Sequence, residues 1–203
     1  MKIWLMTACL FFSMLMEPAF ADDGNILQGR LNQVNSFHAI FIHRLTGAEG
    51  SVLQEGKGEL WIKRSNLFNW HMTTPDESVL VSDGKTLWFY NPLLEQATAN
   101  WLKNMTANTP LMLIIRNSPA DWHEYNVQQH GDTFLLVPKF YNSNLRRFTI
   151  KVTANGIIKG FTATEQNGQQ NDYELNIQKT GPIEATKFHF TLPKGVLLDD
   201  QRH

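Results

Sequence analysis

The sequence predicts a mainly β protein: one curled antiparallel sheet of about eleven strands, covered by a short helical lid. Three observations carry this. Runs of alternating apolar and polar residues recur along the chain, punctuated by the turn pairs Asp83-Gly84, Gly131-Asp132, Asn155-Gly156 and Asn167-Gly168. The composition is aromatic and poor in charge, with 13 Phe, 6 Trp and 4 Tyr against 18% charged residues, which suits strands with much apolar surface to hide. Finally, no linker or shift in composition divides the 203 residues. A meander of that length has to curl or close, and a curled sheet leaves a concave face that helices cover.

The first residues read as an export signal. Lys2 is followed by an apolar run from Ile3 to Met16 and by the small-x-small site Ala19-Phe20-Ala21. Residues 1–21 are expected to be cleaved, leaving one domain over 22–203 that begins at Asp22. Cys9, the only cysteine, lies too early in the apolar run to be a lipidation site, so the exported chain is cysteine-free and stable without disulfides. This fits a bacterial periplasm. A net charge of −1 gives no basis for a nucleic-acid or anionic-membrane partner.

Asn25 to Asn35 reads as an amphipathic helix, with Leu27, Leu31 and Val34 on one face and acidic residues at its start. Strands are expected over Ser36–Leu45, Val52–Lys63, Leu67–Thr73, Ser78–Ser82, Thr86–Asn91 and Glu95–Leu102. Thr109 and Pro110 then open a second helix, whose body Leu111, Met112, Leu113, Ile114 and Ile115 is apolar all round and which stops at Arg116-Asn117. Two readings of that body stand: a buried core helix, or a cover for something not always present. A further helical turn begins at Ser118-Pro119. Strands resume over Tyr125–Gln129, Thr133–Pro138, Leu145–Thr153, Ile157–Glu165, Asn171–Gln178 and Phe188–Thr191, and the tail from Pro193 to Asp200 is irregular.

Within Gly58 to Met72, strand parity puts Leu60, Ile62 and Arg64 on one face and Glu59, Trp61 and Lys63 on the other; after the turn at Ser65-Asn66, Phe68, Trp70 and Met72 form a second apolar face. Arg64 thus falls in register with an apolar row. Either the strand frays there and the side chain reaches water, or a cation is set inside an apolar cavity, where it needs carboxylates or carbonyls. No catalytic motif accompanies it: there is no Gly-x-Ser-x-Gly, no His-Glu-x-x-His and no metal-ligand spacing among the histidines, so no enzyme activity, metal or cofactor is expected.

The runs Gly58-Glu59-Leu60-Trp61-Ile62-Lys63-Arg64, Asn66-Leu67-Phe68-Asn69-Trp70-His71-Met72, Pro75-Asp76-Glu77-Ser78 and Ser82-Asp83-Gly84-Lys85-Thr86-Leu87-Trp88-Phe89-Tyr90-Asn91-Pro92 resemble the signature regions of the LolA family of periplasmic outer-membrane lipoprotein carriers. Glu95-Gln96-Ala97-Thr98, Asn108-Thr109-Pro110 and the closing Val196 and Asp199-Asp200-Gln201-Arg202 fit as well. Ser65 departs from the family's proline at that place, and both residues suit a turn.

The resemblance implies a half-open β-barrel whose cavity takes the acyl chains of lipoproteins. An inner-membrane ABC transporter, LolCDE, would load it, and an outer-membrane receptor, LolB, would unload a monomeric carrier. The family's key arginine falls on Arg64, which favours the buried-cation reading. On that basis Arg64 is expected to latch the lid through carbonyls of Leu31, Ile114 and Ile115, while Leu27, Val34, Trp70, Leu111, Met112 and Leu113 line the cavity. For Phe68, core packing and contact with the transporter or receptor both stand. The rival functions are a carrier of fatty acid or glycolipid and an assembly factor that binds partner strands at a sheet edge.

Overall fold

The computed structural model describes residues 22–64, 66–104, 110–140 and 144–203. The proposed export signal, Ser65 and the Thr109 cap lie outside them. Helix α1 (Asp23–Leu31) comes first. Six strands follow: β1 (Ser36–Thr46), β2 (Val52–Lys63), β3 (Leu67–Thr74), β4 (Ser78–Asp83), β5 (Thr86–Asn91) and β6 (Gln96–Trp101). Then come α2 (Pro110–Arg116), α3 (Pro119–His123), β7 (Tyr125–His130), β8 (Thr133–Pro138), β9 (Leu145–Val152), β10 (Ile158–Glu165), β11 (Gln170–Thr180) and β12 (Leu197–Asp200).

The strands form one open curled sheet in the order β12-β6-β5-β4-β3-β2-β1-β11-β10-β9-β8-β7. Two successive meanders build it. The first runs outward from β1 to β6. The second starts at the opposite edge and works inward until β11 pairs antiparallel with β1, Phe41 opposite Leu175. The chain therefore has to cross the whole sheet once, between β6 and β7, and α2 and α3 lie in that crossing. A segment that spans a concave apolar face must satisfy its own backbone groups, which a helix does.

Alternation decides what faces inward. Phe37, Ala39 and Phe41 on β1, Leu60 and Ile62 on β2, Phe134 and Leu136 on β8, and Phe148 and Ile150 on β9 are all buried in one core beneath the helices. Phe41 lies across Gly58 of β2, where any side chain would collide with its ring. That close approach lets Phe41 meet Trp70 of β3 at 4.4 Å between ring centroids.

The C-terminal part departs from the sequence-based expectation. No strand forms over Phe188–Thr191; a 3-10 turn spans Ala185–Phe188 instead. Phe188 is buried and Phe190 stacks on Trp88 at 5.2 Å, so side-chain docking holds this stretch rather than ladder bonds. The tail expected to be irregular is β12, parallel to β6, with Leu197 N–H bonded to Glu95 O at 2.9 Å and Gln201 N–H to Ala99 O at 2.8 Å. It covers what would otherwise be an open sheet edge.

Helix α1 is also shorter than its apolar periodicity suggests. Asp22 caps its start by accepting from Gly24 N–H, and the helix ends at Leu31. Val34 and Asn35 lie beyond it, where their carbonyls are free to bond elsewhere.

Candidate functional site

Arg64 continues the inward row of Leu60 and Ile62 one step past the end of β2, while Lys63 is exposed on the other face. Its backbone N–H is fixed by Asn35 O at 2.9 Å. Its guanidinium reaches under both helices: Nε donates to Val34 O at 3.1 Å, one terminal nitrogen to Ile114 O at 3.0 Å and the other to Leu31 O. Leu31 closes α1 and Ile114 lies in the last turn of α2, so both carbonyls belong to helix ends, where they have no partner along the helix and carry negative partial charge. Burial draws the Arg64 pKa down, which reflects the cost of taking the charge out of water. The residue stays charged nonetheless.

The structure brings Arg64, Leu31 and Ile114 together. It adds the carbonyl of Val34, expected only as a lining side chain. Ile115, expected to supply a carbonyl, contributes a fully buried side chain instead.

A second polar knot lies beside the first. Asn117 follows α2 in the left-handed region, φ 44°, with its N–H bonded to Leu113 O at 3.0 Å. Its Nδ2 donates to Gln28 O at 3.2 Å and to Asn32 Oδ1 at 2.8 Å, its Oδ1 accepts from Trp122 Nε1 at 2.8 Å, and its carbonyl accepts from Gln28 Nε2 at 3.1 Å. One buried side chain thereby joins α1, α2 and α3. The sequence marks Asn117 as a helix stop; nothing local in it reveals partners 85 and 89 positions away.

Helix α1 is further fastened to the sheet. Asp23 Oδ2 accepts from Gln129 N–H at 2.8 Å on β7, and one terminal nitrogen of Arg30 donates to Asp132 Oδ1 and to Val152 O, both at 2.7 Å. The Arg30 guanidinium also lies 5.2 Å over the Phe134 ring.

Next to α2 an apolar cavity of about 470 Å³ opens on the concave face. Trp70, Leu80, Leu111, Leu145, Phe161, Ala163 and Tyr173 form most of its wall, and Asn144, Glu165 and Asn171 the remainder. Trp70 meets Tyr173 edge-on at 5.0 Å, and Phe161 stacks on Tyr173 at 4.8 Å. Burial pushes the Tyr173 hydroxyl up to about 12.

Of the expected lining residues, Trp70 and Leu111 border this cavity. Leu27, Val34, Met112 and Leu113 do not; they are buried in the core, because the helices are seated on the sheet and fill the space those side chains would otherwise line. Phe68 is likewise fully buried, on the inward face of β3 opposite Ile62. In this conformation it is core packing, and no partner can reach it. The wall residues of β10 and β11 were missed because only strand pairing across the β1–β11 junction shows that they face Trp70.

The sequence profile described as Outer membrane lipoprotein carrier protein LolA matches residues 32–191. An outer-membrane lipoprotein carrier protein of Sodalis glossinidius (strain morsitans) is 71% identical over 202 residues, covering 100% of both chains. One from Yersinia enterocolitica is 59% identical over the same span, again covering 100% of both. Among solved structures, an uncharacterized conserved protein from Thermus thermophilus superposes with TM-score 0.60 at 13% identity, over 87% of this chain and 98% of its own. A LolA superfamily protein from Nitrosomonas europaea does so with TM-score 0.50 at 11% identity, over 84% and 99%. At such identities the likeness in structure speaks for the fold alone.

Proposed function

We propose a working cycle for this protein, which belongs to the LolA family of outer membrane lipoprotein carriers and is a periplasmic chaperone of lipoproteins. Export removes residues 1–21. The inner-membrane ABC transporter LolCDE hands over an acylated lipoprotein, whose acyl chains enter at the Trp70–Leu111 cavity. The receptor LolB then takes the cargo at the outer membrane.

The observation that carries this reading is the Arg64 guanidinium, bonded to the ends of both α1 and α2 beside an apolar cavity. Energetics call for such a device. Each buried methylene contributes about 0.8 kcal/mol, so one long acyl chain contributes on the order of 10 kcal/mol when fully buried. A permanently open cavity would hold its cargo too tightly to deliver it. Closing the helices over the sheet competes with the chains and brings the net affinity into a reversible range. Arg64 is the latch of that closure: cargo breaks its bond to Ile114 of α2, and the re-formation of that bond helps expel the chains at the receptor.

The test is a release assay. Vesicles carrying the transporter and an acylated lipoprotein receive ATP and this protein, and soluble lipoprotein is counted. Release as a one-to-one complex, absent for the unacylated lipoprotein, is expected. Failure of the folded protein to release any acylated lipoprotein contradicts the cycle.

A further inference from the structure

The cavity is apolar along most of its wall and polar at one end. Along β10 the inward row runs Phe161, Ala163, Glu165; along β11 it runs Leu175, Tyr173, Asn171. Ala163 pairs with Asn171, so both rows turn polar at the same end of the sheet. Asn144 stands there too, its carbonyl accepting from Gln166 N–H at 2.8 Å. Side chains meant only to hold hydrocarbon would be apolar to the last position.

The polar residues are linked in order. Asn171 Nδ2 points to Glu165 Oε1 at 3.5 Å, which leaves its Oδ1 to accept from His43 Nε2 at 3.0 Å. His43 is buried and stacks on Tyr173 at 4.4 Å. The amide of Asn171 is thus pinned between an imidazole N–H and a carboxylate, and the carboxylate is held at the cavity border.

Resting on the carrier reading above, we propose that Glu165, positioned by Asn171 and His43, selects the head group of the acyl chains that enter. A carboxylate accepts N–H donors and repels anions. An acyl chain lying along Trp70 and Phe161 brings its head to the polar end. A head of amide and ester groups, as on an acylated polypeptide N-terminus, is accepted there. A phosphate-bearing lipid, the most abundant competitor in any membrane the protein visits, meets a like charge beside a low-dielectric wall, where screening is weakest. Rejection of the wrong ligand by a repulsive group provides selectivity that apolar burial alone cannot, because both ligands carry the same chains.

The test uses mixed vesicles holding diacylglycerol and phosphatidylglycerol of identical, tail-labelled chains. The protein and its Glu165→Gln and Glu165→Lys variants are incubated with them, re-isolated, and their bound lipids counted. The ratio of phosphatidylglycerol to diacylglycerol is expected to rise about threefold in Glu165→Gln and about tenfold in Glu165→Lys at low salt, and the gain to shrink as salt is added. An unchanged ratio in the two Glu165 variants, with diacylglycerol still bound, overturns the role of Glu165 and leaves the carrier reading standing. Absence of diacylglycerol from every form overturns the acyl-chain cavity, and this proposal with it.

Discussion

Helices α1 and α2 cover the same concave face, yet they are held by different forces. Helix α1 is fastened by polar bonds at both ends and along its side: Asp23 to β7, Arg30 to Asp132 and Val152, Leu31 to Arg64. Helix α2 buries an entirely apolar body, Met112 to Ile115, and its polar ties gather at its last turn, at Ile114 O and Asn117. An acyl chain can replace the apolar contacts that α2 would lose on moving, because hydrocarbon is exchanged for hydrocarbon. It cannot replace the charged and hydrogen-bonded contacts of α1. In the proposed cycle cargo therefore displaces α2 and leaves α1 seated, and Arg64 sits where the two behaviours meet.

The largest expected effect comes from removing that junction. Arg64→Leu loses hydrogen bonds to both helices, each worth about 1.5–3 kcal/mol as charge-assisted bonds. Loading should persist while delivery to the receptor slows by about tenfold or more. Normal delivery by this variant, measured as lipoprotein passed to receptor-bearing vesicles, would count against the latch. Arg64→Lys keeps the charge without the planar fork and should fall between the two.

Next in size is Asn117→Ala. It strands the buried Trp122 indole N–H, removes the bond that ties this stretch to the Gln28 carbonyl, and places alanine at φ 44°. A loss of about 2–4 kcal/mol in a urea titration is expected. A loss confined to a few tenths would mean that the three helices are not joined through this side chain.

Arg30→Ala should cost less, about 1 kcal/mol, because its partner Asp132 is half exposed and solvent screens the pair. It should nevertheless loosen α1, seen as faster amide exchange at Leu27 to Leu31.

The smallest effect is restricted to alkaline solution. The Tyr173 hydroxyl is raised by burial from about 10 toward about 12. Because the folded-state value lies above the unfolded one, its contribution is constant below about pH 10 and is lost as pH climbs toward 12. Tyr173→Phe should lessen the decline across that window and leave the profile unchanged at neutral pH, the rest of the decline belonging to Tyr125, whose hydroxyl burial also raises to about 12; an undiminished alkaline decline in that variant would place its source elsewhere.

Much of the fold was legible from local pattern. Strand β2 runs over Val52–Lys63 as the alternation suggests, and parity along Leu60, Ile62 and Arg64 set the cation in register with the apolar row, with strand fraying left open until the family resemblance favoured burial. What was not legible depends on contacts distant in sequence. Strand β12 exists because β6 would otherwise be an open edge, and Leu197-Leu198-Asp199-Asp200 has no alternation to announce it. The Asn117 knot needs α1 and α2 end to end. The polar end of the cavity needs β10, β11 and β1 side by side, which only the junction of the two meanders supplies. Phe68 shows the reverse case: its place on the apolar face of β3 was legible from parity, and the structure buries it fully.

The most direct test uses two pairs of spin labels in one protein, with Cys9, the one cysteine of the sequence, replaced by serine where the first residues are retained. One pair joins Arg116 at the end of α2 to Lys85 on the sheet side; the other joins Asn25 on α1 to His130 at the end of β7. On loading with acylated lipoprotein, the Arg116–Lys85 distance is predicted to lengthen while the Asn25–His130 distance holds. Equal movement of both pairs, or of neither while the cargo is bound, would contradict a lid that opens through α2 at the Arg64 latch.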